Sequence, residues 1–156
     1  MKTEGYKNKT RVRVGGLLLK DDAVLLVQLR SPITNQLVWM LPGGGLQFGE
    51  TMKTCLQREF LEETGLQIRV GSLFAVNEVC SPPFHAVENY FKVYKTGGVP
   101  QLGCDPEHAS DEQIIKDLQW VSKEQLKRKK VIPEQLKEWM RGASFDNRPK
   151  YSSQTI

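Results

Sequence analysis

The chain has 156 residues, 39% of them hydrophobic and 26% charged, which is enough for one domain with a real core and too polar for a membrane-embedded fold. Its formal charge of +4 suits a protein that meets phosphates, and many others besides. Three scattered cysteines (Cys55, Cys80, Cys104) without a Cys-x-x-Cys pair, and two histidines, His85 and His108, argue against a disulfide framework and a structural zinc site.

The longest apolar runs, 15–19 and 23–27, are too short to span a bilayer, so no membrane association is expected. Residues 1–13 are polar and basic without a signal pattern, which predicts a cytoplasmic protein. Residues 1–10 read as a loose N-terminal arm. Residues 12–19 and 23–29 are β-rich runs joined by a hairpin turn at Lys20-Asp21-Asp22. A loop over 31–36 leads to a short strand, 38–41, which Pro42 and three glycines stop.

Residues 51–64 lack Gly and Pro, and Met52, Cys55, Leu56 and Phe60 recur at helical spacing. Gly65 stands where a helix C-cap glycine belongs. Strands are predicted over 67–70, 73–80 and 87–95, with Ser81-Pro82-Pro83 forcing a loop between the last two. A Gly/Pro-rich connection covers 96–109, and 118–121 makes another short strand. Ser122-x-x-Gln125 resembles a capping box, and Pro133 opens a helix ending near Gly142. The expected organisation is an arm (1–10), one domain (11–142) and a flexible tail (143–156).

One stretch carries chemistry: Gly44-x5-Glu50-x7-Arg58-Glu59-Phe60-x-Glu62-Glu63-x-Gly65-Leu66. On a helix Glu59, Glu62 and Glu63 share roughly one face, where like charges repel. A divalent cation among the carboxylates would offset that repulsion. Hard oxygen ligands suit Mg²⁺ or Mn²⁺ completed by waters and phosphate oxygens. Arg58 can orient a carboxylate such as Glu50 by a bidentate contact. Gly43, Gly44 and Gly45 let the main chain approach metal or phosphate closely. A Glu-rich helix face is more often merely solvated, but here all these features coincide.

The stretch resembles the defining box of the Nudix hydrolase family, with Phe60 and Leu66 in its two bulky apolar positions. Trp39-Met40-Leu41-Pro42-Gly43-Gly44 looks like the family's approach to the box, and the strand at 118–121 with the helix after it looks like its closing strand. The resemblance implies an α/β fold, an α/β/α sandwich built on a mixed β-sheet. It implies that Glu59, Glu62 and Glu63 ligate Mg²⁺ (or Mn²⁺), with a carbonyl at Gly43 or Gly44, and that Glu50 and Arg58 support the site. The implied reaction is attack of a metal-activated water on one phosphorus of a diphosphate.

Family members often place a further carboxylate before the closing strand. Glu112 is the candidate base, with Asp111 and Asp117 behind it, and Glu62 or Glu63 as alternatives. Pro82, sixteen residues beyond Leu66, resembles the ADP-ribose pyrophosphatase branch, so Pro82, Phe84 and His85 are expected to flank a ribose or sugar pocket. Arg30 and Arg13 are candidates for phosphate contacts. The expected substrate is a small nucleotide, a nucleoside diphosphate derivative such as ADP-ribose or a nucleotide sugar. Alternatives are nucleoside triphosphates, the 5′ end of RNA held by Lys127-Arg128-Lys129-Lys130, and a non-catalytic nucleotide sensor. An apolar face through Ile132, Leu136, Trp139 and Met140 could cover the core or form a homodimer contact.

Overall fold

The computed structural model describes residues 4–31, 33–103, 115–141 and 149–155. After a 3₁₀ turn at Glu4–Tyr6 come β1 (Lys9–Leu17), β2 (Leu19–Lys20), β3 (Ala23–Arg30), β4 (Leu37–Met40) and β5 (Gly43–Gly45). Helix α1 (Met52–Thr64) is followed by β6 (Leu66–Ser81), β7 (Phe84–Gly98) and β8 (Ile115–Ser122). Short α2 (Lys123–Leu126), β9 (Val131–Ile132), α3 (Leu136–Arg141) and β10 (Lys150–Thr155) complete the chain.

The strands form two sheets in which parallel and antiparallel pairs are mixed. The first runs β10-β6-β7-β1-β5, and the second runs β2-β3-β4-β9 with β8 on β3. The run expected as one strand over 12–19 divides at Leu18, between the two sheets. Leu17 joins one core and Leu18 the other. The predicted β2–β3 hairpin is present, with Asp21 at φ 53° in its turn. Asp is among the few residues that tolerate that conformation.

Helices flank the strands on both sides. α1 buries Cys55, Leu56 and Phe60 against Val14, Leu25 and Val93. α3 lays Leu136, Trp139 and Met140 over the opposite core, with the Trp139 ring 5.4 Å from Phe74 and 5.3 Å from Tyr90. The apolar face of the last helix therefore covers the protein's own core.

Four expectations are corrected. Residues 9–10 of the supposed arm are strand, paired with Phe84 and His85 of β7. The glycine triplet is a strand too, antiparallel to β1; three residues without Cβ can still form a ladder, because strand pairing uses backbone groups alone. The last helix begins at Leu136 rather than at Pro133, since β9 and the cis Ile132-Pro133 bond precede it. Residues 150–155, expected as mobile tail, form β10 beside β6 in parallel register.

Candidate active site

Helix α1 starts where its sequence says it should. Thr51 caps it, its hydroxyl accepting from Thr54 N–H at 3.1 Å, and Gly65 ends it at φ 71°, where its N–H reaches the Leu61 carbonyl. That left-handed conformation is available to glycine without steric cost. The charge pattern runs against helix stability. The last turn carries Glu62 and Glu63 and no basic residue, and anions at a helix C-terminus cost a few tenths of a kcal/mol or more each.

Arg58 organises the acidic side chains. It grips Glu50 with two hydrogen bonds, Nη2 to Oε1 at 2.8 Å and Nε to Oε2 at 3.3 Å. Its Nη1 reaches Glu59 at 2.8 Å and Glu62 at 3.4 Å. Glu50 also accepts from the Gln47 N–H at 2.8 Å, which fixes the loop between β5 and α1. Glu63 points the other way and accepts from the Gly43 N–H at 2.9 Å. Gly44 lets the Glu59 carboxylate come close to the strand, because a Cβ there would lie 2.4 Å from it and force it to shift.

The ladder phase explains why β5 faces the helix with free backbone groups. Gly16 N–H bonds to the Pro42 carbonyl and Leu46 N–H to the Val12 carbonyl. Alternation along an antiparallel pair then turns the N–H and C=O of Gly43 and Gly45 away from β1. Gly43 N–H meets Glu63, and the Gly45 carbonyl accepts from the Cys55 thiol at 3.5 Å.

The ionisations follow from these contacts. The Arg58 hydrogen bonds pull the Glu50 carboxyl down to about 2. Arg58 is itself raised, first by Glu50. Burial pushes the Cys55 thiol up to about 12, so it stays protonated and unreactive. Burial also raises Glu59, with the contacts to Arg58 opposing that shift.

Among the described residues, no three acidic, His or Cys side chains converge tightly enough to hold an ion in this arrangement. Arg58 Nη1 is bonded to both Glu59 and Glu62, and Glu63 is turned to the glycine strand. The donor set nevertheless fits a hard divalent cation. It consists of carboxylates and backbone oxygens only, gathered at a strand that lacks Cβ atoms, with one carboxylate already penalised by burial. A cation would have to exchange with Arg58 for Glu59 and Glu62, leaving Arg58 on Glu50.

Glu50, Arg58, Glu59, Glu62, Glu63, Gly43 and Gly44 are thus brought together. Glu112 and Asp111 lie outside the described residues. Asp117 sits on β8, accepting from Leu118 N–H and Gln119 Nε2. Pro82 lies in the β6–β7 turn, and Phe84 and His85 begin β7. His85 pairs with Thr10 and Gly44 with Val14, a separation of roughly 13 Å along the strand direction. His85 is engaged by Glu78 at 2.7 Å and Thr10 at 3.3 Å. Arg30 donates to the Asn35 carbonyl at 2.8 Å and closes the turn beyond β3.

Sequence reasoning named Arg13 as a phosphate candidate but missed the polar group it belongs to. Arg13 pairs with Gly45 on one side and Glu88 on the other, Glu88 pairs with Asn77, and Asn77 with Ser152. Asn77 and Glu88 are buried. These residues come from five strands, and only the alternation of Arg11 and Arg13 with apolar neighbours hinted at them.

A family model described as NUDIX domain matches residues 9–141. A protein named ADP-ribose pyrophosphatase from Methanocaldococcus jannaschii is 32% identical over 126 residues, covering 70% of this chain and 73% of its own length. Among solved structures, a NUDIX hydrolase from Nitrosomonas europaea is similar with a TM-score of 0.72 at 20% identity, over 97% of this chain and 81% of that one. An ADP-ribose pyrophosphatase from Streptococcus suis gives 0.66 at 16% identity, over 90% and 98%; at such identities the likeness speaks for the fold. The chain belongs to the Nudix family. Within it, the chain is a hydrolase of the pyrophosphatase type.

Proposed function

We propose that this enzyme is a Mg²⁺-dependent pyrophosphohydrolase that cleaves the diphosphate of a nucleoside diphosphate derivative, of the ADP-ribose or nucleotide-sugar kind. The observation that carries the reading is the gathering of Glu50, Glu59, Glu62 and Glu63 around Arg58 and the glycine strand. Such a concentration of carboxylates has little use without a cation to share. When bound, Mg²⁺ neutralises phosphate charge and polarises a water for attack on phosphorus.

The chain's own residues have separate tasks. Glu59, Glu62 and Glu63 would hold the cation, aided by the backbone of Gly43; the backbone groups of Gly44, also expected there, face β1 instead. Glu50 anchors Arg58, and Arg58 sets the carboxylate geometry. Water activation falls to Glu62 or Glu63, or to Glu112, which precedes β8 in the sequence. The name of the Methanocaldococcus jannaschii relative favours ADP-ribose among the candidate substrates.

RNA ends are less well supported. Lys127 is paired with Glu124, Lys129 lies 4.0 Å from the Trp39 ring centroid, and Lys130 bonds to Gln36. These cations are committed to their own chain. No helix among the described residues is long and apolar enough to cross a membrane.

The test is a substrate panel with Mg²⁺, with products resolved by chromatography. AMP and ribose 5-phosphate from ADP-ribose are the expected products. Pyrophosphate released from nucleoside triphosphates or RNA ends, with ADP-ribose left intact, would overturn the assignment.

A further inference from the structure

The residues of this second group form one straight row. Gly45 (β5), Arg13 (β1), Glu88 (β7), Asn77 (β6) and Ser152 (β10) are successive cross-strand partners, so their side chains leave the sheet on one face. The neighbouring row on that face contains Gly15 and Tyr90, and Tyr90 meets Trp139 of α3. It is therefore the face turned away from α1. The glycine strand lies at the sheet's edge, with the acidic helix on one side and this row on the other.

Hydrogen bonds run along the row from its far end. Ser152 Oγ bonds to Asn77 Oδ1 at 2.8 Å, and Asn77 Nδ2 donates to Glu88 Oε2 at 3.1 Å. Tyr90 donates its hydroxyl to that same oxygen at 2.8 Å. Glu88 is only 5% exposed, and a buried carboxylate needs donors and nearby cations to be tolerated. Arg13, the cross-strand partner of Glu88, and Arg11 two residues before it on the same face bring positive charge to this side of the sheet. At the glycine end, the Arg11 guanidinium lies 3.7 Å from the Tyr6 ring centroid and 3.2 Å from where a Gly45 Cβ would stand. A flat aromatic–guanidinium pair and an anchored carboxylate thus flank the strand on which the diphosphate reading places the phosphates.

We propose that this row is the shelf on which the enzyme reads the nucleoside of its substrate, with Glu88 accepting from a nucleoside N–H or hydroxyl, and that the C-terminal strand β10 is its positioning strap, acting through Ser152 and Asn77. The proposal rests on the hydrolase reading for the identity of the ligand. A carboxylate has acceptor sites beyond those Asn77 and Tyr90 fill, and these two donors together fix its aim, Tyr90 from the core and Asn77 from the side of β10. Asn77 cannot turn its amide without losing either Ser152 or Glu88.

The experiment is calorimetric binding of ADP-ribose and of dGTP in EDTA, which removes turnover from the measurement, with steady-state kinetics in Mg²⁺ alongside. Glu88→Gln should weaken the nucleotide that the wild type binds by about tenfold, the scale of a lost acceptor in a site built around it. Ser152→Ala should raise Kd and KM about threefold or more with kcat nearly unchanged, and Ser152→Thr should restore them. A purely structural role would lower the melting temperature and leave KM and Kd alone. Wild-type Kd values in both Glu88→Gln and Ser152→Ala overturn the proposal, as does a wild type that binds neither nucleotide. Weakened binding in the variants without hydrolysis of any nucleoside diphosphate derivative would sink the proposed substrate assignment and leave the shelf standing.

Discussion

The two sides of the glycine strand handle charge in opposite ways. On the α1 side, Glu50, Glu59 and Glu62 share the guanidinium of one arginine, and Glu63 beside them turns to the glycine strand. On the other side a single buried carboxylate receives Asn77 and Tyr90 and has arginines nearby. The first arrangement carries more negative charge than its one arginine offsets, which is why the proposed function places a cation there. The second is close to balanced, and can discriminate between ligands without a metal. Variants of the two should separate accordingly, α1 substitutions acting on kcat and metal affinity, row substitutions on KM.

The largest effect is expected from Glu59→Gln or Glu63→Gln. Each keeps the shape of the side chain and removes a charge from the cluster, so kcat should fall about 10²–10³-fold with the melting temperature unchanged or raised. The rise, where seen, comes from relieving repulsion along the helix. Chelation of the metal should abolish turnover and be reversed by Mg²⁺. If Glu63→Gln keeps near-normal kcat, the division of labour between the two faces is wrong.

Arg58→Lys comes next. A lysine cannot reproduce the two bonds to Glu50 together with the reach to Glu59 and Glu62, so activity should drop about 10–100-fold, the usual scale for a residue that orients ligands. Raised Mg²⁺ should recover part of the loss if the role is orientation. Gly44→Ala should cost about tenfold, because its methyl displaces the Glu59 carboxylate rather than removing it. An alanine enzyme with unchanged Mg²⁺ dependence would show that Glu59 does not need that close approach.

The contrast also explains what could be read in the sequence. The α1 cluster is local: helical spacing fixes which glutamates share a face, and Thr51 and Gly65 mark both ends of the helix. Residues 50–66 were therefore legible down to the Arg58–Glu50 pair. The row is not local. Ser152 and Asn77 are 75 residues apart, and their meeting depends on β10 pairing with β6 in parallel, which no short-range pattern announces. Triple glycine has low strand propensity, so the sequence predicts that it stops a strand, yet pairing with β1 overrides that preference. Pro82 is singled out only by its distance from Leu66, with His85 beside it, and register puts His85 toward the far end of β1.

The smallest effect concerns acid stability. Glu50 falls from an ordinary 4.5 to about 2 on folding, so its contact with Arg58 stabilises the native state fully above the unfolded value. That contribution disappears as pH drops from about 4.5 towards 2. Both side chains retain some solvent exposure, 14% for Glu50 and 27% for Arg58, so screening reduces the contribution to about 1 kcal/mol. Glu50→Gln should therefore destabilise the enzyme by about that much at pH 7 in denaturant titrations, with the difference from wild type vanishing near pH 2. Because Arg58 would lose its anchor, the same variant should also lower kcat, and it should do so at every pH where Glu50 is charged. A stability difference that persisted unchanged down to pH 2 would mean that Glu50 holds the loop through its shape and its bond to Gln47 rather than through charge.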